Sequence, residues 1–143
     1  MPIKIKLEGF DELLQQIEAA GRAADSAAES AVKAGAQVMQ SELKSALSAA
    51  TDSGLASRLP APKIEKHGNE VSASVGFQST AYNPRNPSDY HKAIFLNYGT
   101  PTRREHGQEA ARGFIIKAKR RARPKIKKVQ KEALEKILAR LKK

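Results

Sequence analysis

The longest periodic pattern of apolar residues in this chain has the period of a helix, and it constrains the fold more than any other feature. From Phe10 to about Ala50, apolar side chains recur three or four residues apart, which places them on one face of an α-helix. Gly21 and Gly35 interrupt the repeat, each at a cost of about 1 kcal/mol relative to Ala. The pattern predicts one long helix, or two helices with a kink at Gly21.

Segments in which apolar and polar residues alternate lie both before and after this helix. Ile3, Ile5 and Leu7 alternate with lysines before a glycine, which predicts a short strand with one buried face. After turn residues at 51–54, a second alternating segment covers 71–77, and the residues around Ile64 are its expected partner strand. Residues 67–69 contain Gly and Asn, which tolerate a positive φ, so a tight hairpin is expected.

The segment 93–98 is the most apolar short run in the chain, and Gly99 and Pro101 follow it. A run of this kind predicts a buried strand. The flanking segments 78–90 and 101–113 are polar and contain Pro and Gly, so both are predicted to be loops. We expect the second loop to be flexible in the isolated subunit and ordered by a neighbouring protein.

A second amphipathic helix is predicted at the C-terminus. Pro124 suits the first turn of a helix, where its missing N–H is not needed, and an apolar stripe follows from Ile126 to Leu141. The apolar segment 114–116 precedes this helix as an anchor. The sequence therefore predicts an α+β fold, a small antiparallel sheet with the long N-terminal helix and the C-terminal helix packed on one face. The length fits a single domain, 1–143.

Positive charge is concentrated in the C-terminal part of the chain. Residues 1–60 hold six basic and eight acidic side chains, whereas residues 61–143 hold twenty and seven. Ten Lys or Arg lie between Arg112 and Lys131 without an acidic residue. A field this one-sided attracts phosphate groups or an acidic protein surface. The candidate residues for contact with an assembly partner or a polyanion are Arg112, Lys117, Lys119, Arg120, Arg121, Arg123, Lys125, Lys127 and Lys128.

Two interpretations of this basic segment are open. It either matches an acidic neighbour in a protein assembly, or residues 112–131 bind nucleic acid nonspecifically, with an affinity that falls steeply with salt. Phe114 is the only aromatic residue from Arg112 to Lys143, so stacking on bases is poorly supported. Since no base-reading motif accompanies the charge, the assembly interpretation is favoured.

The sequence holds no recognisable catalytic or metal-binding arrangement. His67, His91 and His106 stand apart from one another, and none is combined with Cys, Asp or Glu at ligand spacing. Nucleophile-elbow, phosphate-loop and dinucleotide-binding motifs are absent. The chain has no Cys, which excludes disulfides and thiolate metal sites. We therefore expect no enzymatic activity, no cofactor and no metal.

Targeting and membrane segments are not expected either. Residues 1–4 lack the apolar core of a secretory signal. No apolar run approaches the ~20 residues that a bilayer-spanning helix requires. The sequence predicts a protein without membrane association that is soluble in the cytoplasm when it is made.

Short motifs in this chain resemble, in order and spacing, those of the tail-component, or tail-completion, family of long-tailed bacteriophages. Residues 3–14 (IKIKLEGFDELL) are similar to the family's opening strand, glycine and helix start. Residues 113–118 (GFIIKA) are similar to its short Phe-containing segment before a terminal helix. The best single motif follows an apolar run and consists of Asn97, Tyr98, Gly99 and Thr100.

This resemblance implies a non-enzymatic virion protein of the head–tail junction or upper tail, with no catalytic residues. It implies assembly with itself, often as a ring, and contacts with neighbouring neck or tail proteins. Nonspecific contact with DNA stays open as the alternative. The expected location is the virion, and the host cytoplasm during assembly. A ring needs a head-to-tail interface between two different patches, and an acidic N-terminal helix against the basic C-terminal segment of the next copy would supply one.

Overall fold

The computed structural model describes residues 3–50, 54–67, 70–98 and 113–142. In chain order it contains strand β1 (Ile3–Lys6), helices α1 (Asp11–Ala19) and α2 (Ala24–Ala50), a short 3-10 helix (Ala56–Arg58), strands β2 (Lys63–His67) and β3 (Glu70–Val75), and helices α3 (Asp89–Tyr98) and α4 (Phe114–Leu141). The predicted α+β class, with a small antiparallel sheet and long helices towards both ends of the chain, is confirmed.

The three strands form a sheet in the order β1-β3-β2, and both pairs are antiparallel. Ile3 lies opposite Val75, and Ile5 lies opposite Ala73. Because alternate side chains of a strand point to opposite faces, these buried residues share the apolar face of the sheet. The two lysines of β1 lie on the other face, and both are exposed.

Helix α2 covers the apolar face of the sheet, as its amphipathic stripe predicts. Val32, Met39 and Leu47 are buried side chains of α2 that belong to the same core as the sheet residues. Helix α4 lies along α2, and these two helices form the most extensive packing among the described elements. Small buried side chains at the contact, such as Ala36 and Ala118, let the two backbones approach closely.

A glycine divides the N-terminal helical repeat into two helices. Gly21 has a φ of +100°, in the left-handed region that glycine adopts without a steric penalty, and it lies between α1 and α2. The two-helix form of the prediction is therefore the correct one. The break lets α1 pack on the C-terminal half of α4, where Ile17 joins Leu134 and Leu138 in a second apolar cluster.

The predicted strand at residues 93–98 is wrong, because this segment forms the second half of α3. The helix begins after Ser88, whose carbonyl accepts a hydrogen bond from the N–H of Lys92. Ala93 and Asn97 are buried and, four residues apart, share one helix face. Within α3 the run satisfies its own backbone hydrogen bonds, so it needs no neighbouring strand.

The predicted start of the C-terminal helix at Pro124 is also wrong. Helix α4 begins at Phe114, ten residues earlier, and Pro124 lies in its interior. The predicted anchor at 114–116 is the first turn of this helix. Phe114 and Ile115 are buried there as expected, but Ile116 is 58% exposed.

The predicted loops and turns have mixed outcomes. The hairpin is confirmed by the pairing of His67 with Glu70, whereas residues 68–69 lie outside the described residues. The loop predicted at 78–90 is confirmed as far as Ser88, where α3 follows. The turn residues 51–53 and all of the loop predicted at 101–113 except Gly113 lie outside the described residues.

Candidate binding groove beside helix α4

The structure separates the predicted basic residues into groups with different surroundings. A groove between β1 and the N-terminal half of α4 is lined by Lys119, Arg120, Arg123 and Lys127. A second face of α4, which we call the outer stripe, is exposed and consists of Lys117, Arg121 and Lys128. Lys125 forms an ion pair with Glu42 of α2, and Arg112 lies outside the described residues.

The groove has a volume of about 740 Å³ and two different walls. One wall is β1, an edge strand of the sheet. The other wall is one face of α4, on which Lys119, Arg123 and Lys127 follow one another at intervals of four residues. The apolar part of the lining consists of Ile3, Ile5, Met39, Ile116, Pro124 and Ile126.

The face of α4 that lines the groove continues into the face that α1 covers. From Lys127 it passes through Gln130 to Leu134 and Leu138, at intervals of three or four residues. In the C-terminal half of α4 this face is buried with Ile17 of α1. The groove is therefore the part of the same helix face that α1 leaves open.

The lining of the groove is strongly positive. It contains one carboxylate, Glu8, and six basic side chains, which are Lys4, Lys6, Lys119, Arg120, Arg123 and Lys127. Lys6 lies 2.8 Å from Glu70 of β3, and this hydrogen bond raises the pKa of Lys6 above its ordinary value. In the part of the chain that the structure describes, the other five cations form no ion pair. The groove therefore attracts an anionic partner at neutral pH.

Gln130 ties α4 to β1 at the groove. Its side chain is 2% exposed, and its Nε2 donates a hydrogen bond of 3.2 Å to the carbonyl oxygen of Lys6. The Lys6 carbonyl therefore points away from β3 and toward α4. In an antiparallel strand, alternate residues direct both backbone groups to the same side. Lys4 consequently directs its N–H and C=O toward the groove as well.

Lys125 contacts α2 rather than the groove. Its Nζ donates a hydrogen bond to Oε1 of Glu42 on α2, as part of an ion pair. The Glu42 side chain is 13% exposed and that of Lys125 is 60% exposed, so the pair lies at the solvent-facing edge of the contact between α2 and α4. We assign Lys125 to the joining of these two helices.

The motif residues at 97–100 lie at the junction of α3 and α4. Asn97 is 4% exposed, and its Oδ1 accepts a hydrogen bond of 3.0 Å from the N–H of Ile115. Its carbonyl oxygen accepts another, of 3.1 Å, from Gly113. The first N–H groups of a helix have no partner within it, so Asn97 caps α4 from a neighbouring helix. The side chain of Tyr98 lies outside the described residues, as do Gly99 and Thr100.

Sequence reasoning missed the contribution of β1 to this groove. The alternation of Lys4 and Lys6 with buried isoleucines was visible, and it placed both lysines on an exposed face. Nothing local indicates that β1 lies beside α4, because the contact between Lys6 and Gln130 joins residues 124 positions apart. The exposure of Ile116 could have been found only with the correct start of α4.

The two described histidines contact neighbouring side chains of the loop 78–88, of α3 and of β2. His91 lies with its Nδ1 3.1 Å from Oγ of Ser88, and its ring packs between those of Tyr82 and Tyr90, which holds the 78–88 loop against α3. His67 lies 3.6 Å from Glu65 on the same strand. Within the described ranges, no three His, Cys, Asp or Glu side chains form a possible metal site. None of the helices described there is both long and apolar enough to cross a membrane.

The comparisons with known proteins identify the family. Residues 11–99 match the family model described as "Bacteriophage HK97-gp10, putative tail-component". This chain belongs to that family of phage tail components. The family predicted from the sequence is thereby confirmed. Comparisons with curated proteins and with solved structures gave no match.

As a phage tail component, the protein is a structural protein of the virion that interacts with other phage structural proteins. The matched segment runs from the first residue of α1 to the residue after α3. Strand β1 and helix α4, the two walls of the groove, lie outside it. The family match therefore assigns no role to the groove of the tail component.

Proposed function

We propose that this tail component is a non-enzymatic structural protein of the head–tail junction or upper tail, which acts as a single domain through oligomeric assembly. The observation that carries the proposal is the family match over residues 11–99. The similarity of the motif at 97–100 to tail-completion proteins supports a position at the junction. The protein would reach the virion after synthesis in the host cytoplasm.

Opposite charges on two exposed helix faces support assembly with itself. Asp11, Glu12 and Glu18 are exposed on α1, and the outer stripe of α4 is exposed as well. We expect the acidic face of one copy to meet the outer stripe of the next. Because the two patches differ, the contact is head-to-tail, and it closes a ring where the rotation between copies allows.

A nonsense codon in the gene for this chain tests its position in the particle. Without a junction protein, we expect filled heads and finished tails that fail to join, as seen by negative-stain electron microscopy of the lysate. Addition of the purified protein should restore joined particles. Normal virions, or a lysate that lacks tails altogether, would contradict the assignment to the junction.

Size-exclusion chromatography with light scattering tests the assembly with itself. We expect a mass that is a multiple of the monomer mass. The triple variant Lys117→Gln/Arg121→Gln/Lys128→Gln should lower this mass, because charges at the rim of an interface steer and orient partners. The matched control Lys119→Gln/Arg123→Gln/Lys127→Gln removes the same charges from the groove and should leave the mass unchanged. A strictly monomeric wild type at high concentration would argue against this assembly.

The alternative function, nonspecific nucleic-acid binding through residues 112–131, stays a prediction. A titration of labelled duplex DNA at increasing salt tests it, since each neutralised phosphate releases counterions and steepens the salt dependence. Binding at about 100 nM in about 150 mM salt, by a protein that stays monomeric, would favour this alternative. Weak binding that salt abolishes is the result expected of a tail component with a basic assembly surface.

A further inference from the structure

The groove between β1 and α4 combines positive charge, exposed apolar area and an open strand edge. Five of its six cations form no ion pair with any described residue. Ile116 is one of the two large apolar side chains that are exposed in the described part of the chain. These features fit three parts of one ligand, namely carboxylates, apolar side chains and an extended backbone.

The backbone of β1 is open toward the groove at Lys4. Since the Lys6 carbonyl turns toward Gln130 of α4, Lys4 and Lys6 direct their N–H and C=O groups away from β3, and Ile3 and Ile5 direct theirs to it. The Lys6 carbonyl oxygen already accepts a hydrogen bond from the side chain of Gln130. Among the described residues, no partner bonds the N–H and C=O of Lys4 or the N–H of Lys6. An open edge of this kind is a template for a further strand.

Pro124 frees a backbone acceptor on the opposite wall. Proline has no N–H, so the carbonyl of Arg120, four residues earlier, lacks its helical donor. Arg120 and Pro124 both line the groove, and so does Ile116, one turn before Arg120. A segment in the groove would therefore meet hydrogen-bonding backbone on the strand side, and a free carbonyl beside an apolar side chain on the helix side.

The described part of the chain offers no acidic extended segment to fill the groove. The described carboxylates lie on helices, on the paired strands β2 and β3, or at Glu8 in the lining of the groove. Residues 99–112 contain more basic than acidic side chains, with three Arg and two Glu. Charge complementarity therefore points to a different protein as the source of the occupant.

We propose that the groove binds an extended acidic segment of a neighbouring virion protein, which pairs with β1 as a fourth strand. Strand addition of this type takes its affinity from backbone hydrogen bonds and its specificity from alternate side chains. Carboxylates of the segment would reach Lys119, Arg123 and Lys127, and an apolar residue of the segment would contact Ile116 on the same wall of the groove. The inference rests on the proposed function only for the source of the segment.

A synthetic peptide tests the binding on the purified full chain, without any assembly step. The peptide has about eight residues, the length of an ordinary strand, and alternates Glu with Val. We expect saturable binding by fluorescence anisotropy. A peptide with Gln in place of every Glu should bind at least about tenfold more weakly, because the groove attracts negative charge. Equal binding of the two peptides would overturn the proposal.

Backbone methylation of the peptide separates strand pairing from simple charge attraction. Two further peptides carry N-methyl groups either on all Glu or on all Val residues, which keeps the charge and removes one set of donors. One of the two sets faces β1, so one methylated peptide should lose about tenfold in affinity, or ~1.4 kcal/mol. If both bind as well as the parent peptide, the groove is only a polyanion site and the proposal fails.

Matched variants of α4 locate the binding. The groove variant Lys119→Gln/Arg123→Gln/Lys127→Gln should weaken peptide binding by at least about tenfold. The outer-stripe variant Lys117→Gln/Arg121→Gln/Lys128→Gln removes the same number and types of charge and should weaken it less than about threefold. Equal losses in both variants would show long-range attraction without a site and would overturn the proposal.

A proline in β1 tests the strand edge itself. Lys4→Pro removes the N–H that points to the groove but leaves the hydrogen bonds to β3, and proline is tolerated on edge strands at such positions. Lys4→Gln is its control, because it removes the charge and keeps the N–H. We expect Lys4→Pro to bind the parent peptide about tenfold more weakly than Lys4→Gln. Equal affinities of two folded variants would contradict strand addition, and the methylated peptides decide if Lys4→Pro does not fold.

Other occupants give distinct results in the same experiments. Duplex DNA that binds more tightly than the peptide and equally well to Lys4→Pro would assign the groove to nucleic acid and overturn the proposal. Loss of self-association in the groove variant would assign the groove to a second copy and overturn it as well. Failure of the peptide to bind, with heads and tails still separated in the nonsense mutant, would reject the acidic segment and retain the junction function.

Discussion

At the residue scale, the side chain of Asn97 links α3 to α4, although residues 99–113 separate the two helices in sequence. The family resemblance singled out this residue, but its role depends on the orientation of α4. Gly113 precedes α4 with a φ of +58° and has no side chain to cap the helix. Asn97 provides the missing acceptor for Ile115, so one side chain fixes where α4 begins.

We predict that Asn97→Ala lowers the free energy of unfolding by about 1–3 kcal/mol, because it leaves the buried N–H of Ile115 without an acceptor. Urea denaturation followed by circular dichroism measures the change. Lys92→Ala, an exposed position on the same helix, serves as the control and should change stability by less than about 0.5 kcal/mol. Similar small effects of both substitutions would show that the cap contributes nothing.

Gly35 illustrates how packing overrides local propensity. Its place in α2 appears unfavourable from the sequence, since glycine destabilises a helix interior. An added Cβ would lie 2.8 Å from Nε2 of Gln130, 3.1 Å from Cγ2 of Ile126 and 3.3 Å from Cγ2 of Ile5. The glycine therefore lets α2, α4 and β1 meet at one point.

We predict that Gly35→Ala destabilises the protein by up to about 2 kcal/mol, although alanine is the better helix former. Overpacking costs about 1–3 kcal/mol, and the gain of about 1 kcal/mol in helix propensity offsets only part of it. Gln37→Ala, an exposed change on the same helix, should be neutral or slightly stabilising. Thermal melts compare the two variants, and a higher midpoint for Gly35→Ala than for wild type would disprove the close contact.

At the element scale, α3 shows the limit of an apolar run as a predictor. Residues 93–98 are apolar enough for a buried strand, and a short run has too few turns to display a helical period. The decisive local signals lie before it, where Ser88 and Asp89 suit a helix start. With these residues included, Tyr90, Ala93 and Asn97 fall at intervals of three and four, as in a helix.

Pro124 is a second case in which the local signal was misleading at the element scale. It lies in the interior of α4, whereas proline in helices usually lies in the first turn. An interior proline costs about 3 kcal/mol relative to alanine. Pro124 is exposed, so no apolar packing is lost when it is replaced. Helix α4 continues through Pro124 because its buried face packs on α2 both before and after this position.

We predict that Pro124→Ala raises the free energy of unfolding by up to about 3 kcal/mol, because it restores the hydrogen bond to the Arg120 carbonyl. A higher urea midpoint would show this directly. The same variant should weaken binding of the acidic peptide if that carbonyl accepts a bond from the segment. A lower urea midpoint would mean that the packing of α4 on α2 depends on the proline.

At the scale of the whole molecule, the acidic and basic halves of the sequence do not form separate parts. Strand β1 from the first half supplies cations to the groove, and Glu42 of α2 pairs with Lys125 of α4. Two further pairs join segments distant in sequence, Lys6 with Glu70 and Lys66 with Glu29, each at 2.8 Å. The net charge of +11 is thus partly compensated where elements meet and left uncompensated in the groove.

These pairs predict a loss of stability in acid. The hydrogen bond from Lys66 lowers the pKa of Glu29, and the one from Lys6 lowers the pKa of Glu70, both from an ordinary value of 4.5. A carboxylate with a lowered pKa in the folded state stabilises it above pH 4.5, and this contribution disappears as pH falls through the lowered value. The urea midpoint should therefore decrease between about pH 5 and pH 3.

The double variant Glu29→Gln/Glu70→Gln is the control for this pH dependence. It lacks both titrating carboxylates, so its midpoint should fall less than that of the wild type over the same pH range. The two pairs are exposed, and the difference should accordingly be small and should shrink in high salt. Parallel pH profiles of the two proteins would show that other groups determine the acid sensitivity.

The sequence by itself determined the elements whose periods are long or are bounded by clear turns. Strand β1, the helical repeat of α1 and α2 and the β2–β3 hairpin follow from local patterns, because a period fixes which side chains share a face. The family follows from the resemblance of short motifs, and the structure decided that the repeat breaks at Gly21. The tertiary structure alone decided that 93–98 is helical, that Pro124 lies inside α4 and that β1 and α4 enclose a basic groove. In each case the deciding contact joins segments far apart in the chain, and a local pattern specifies which face is buried but not which element covers it.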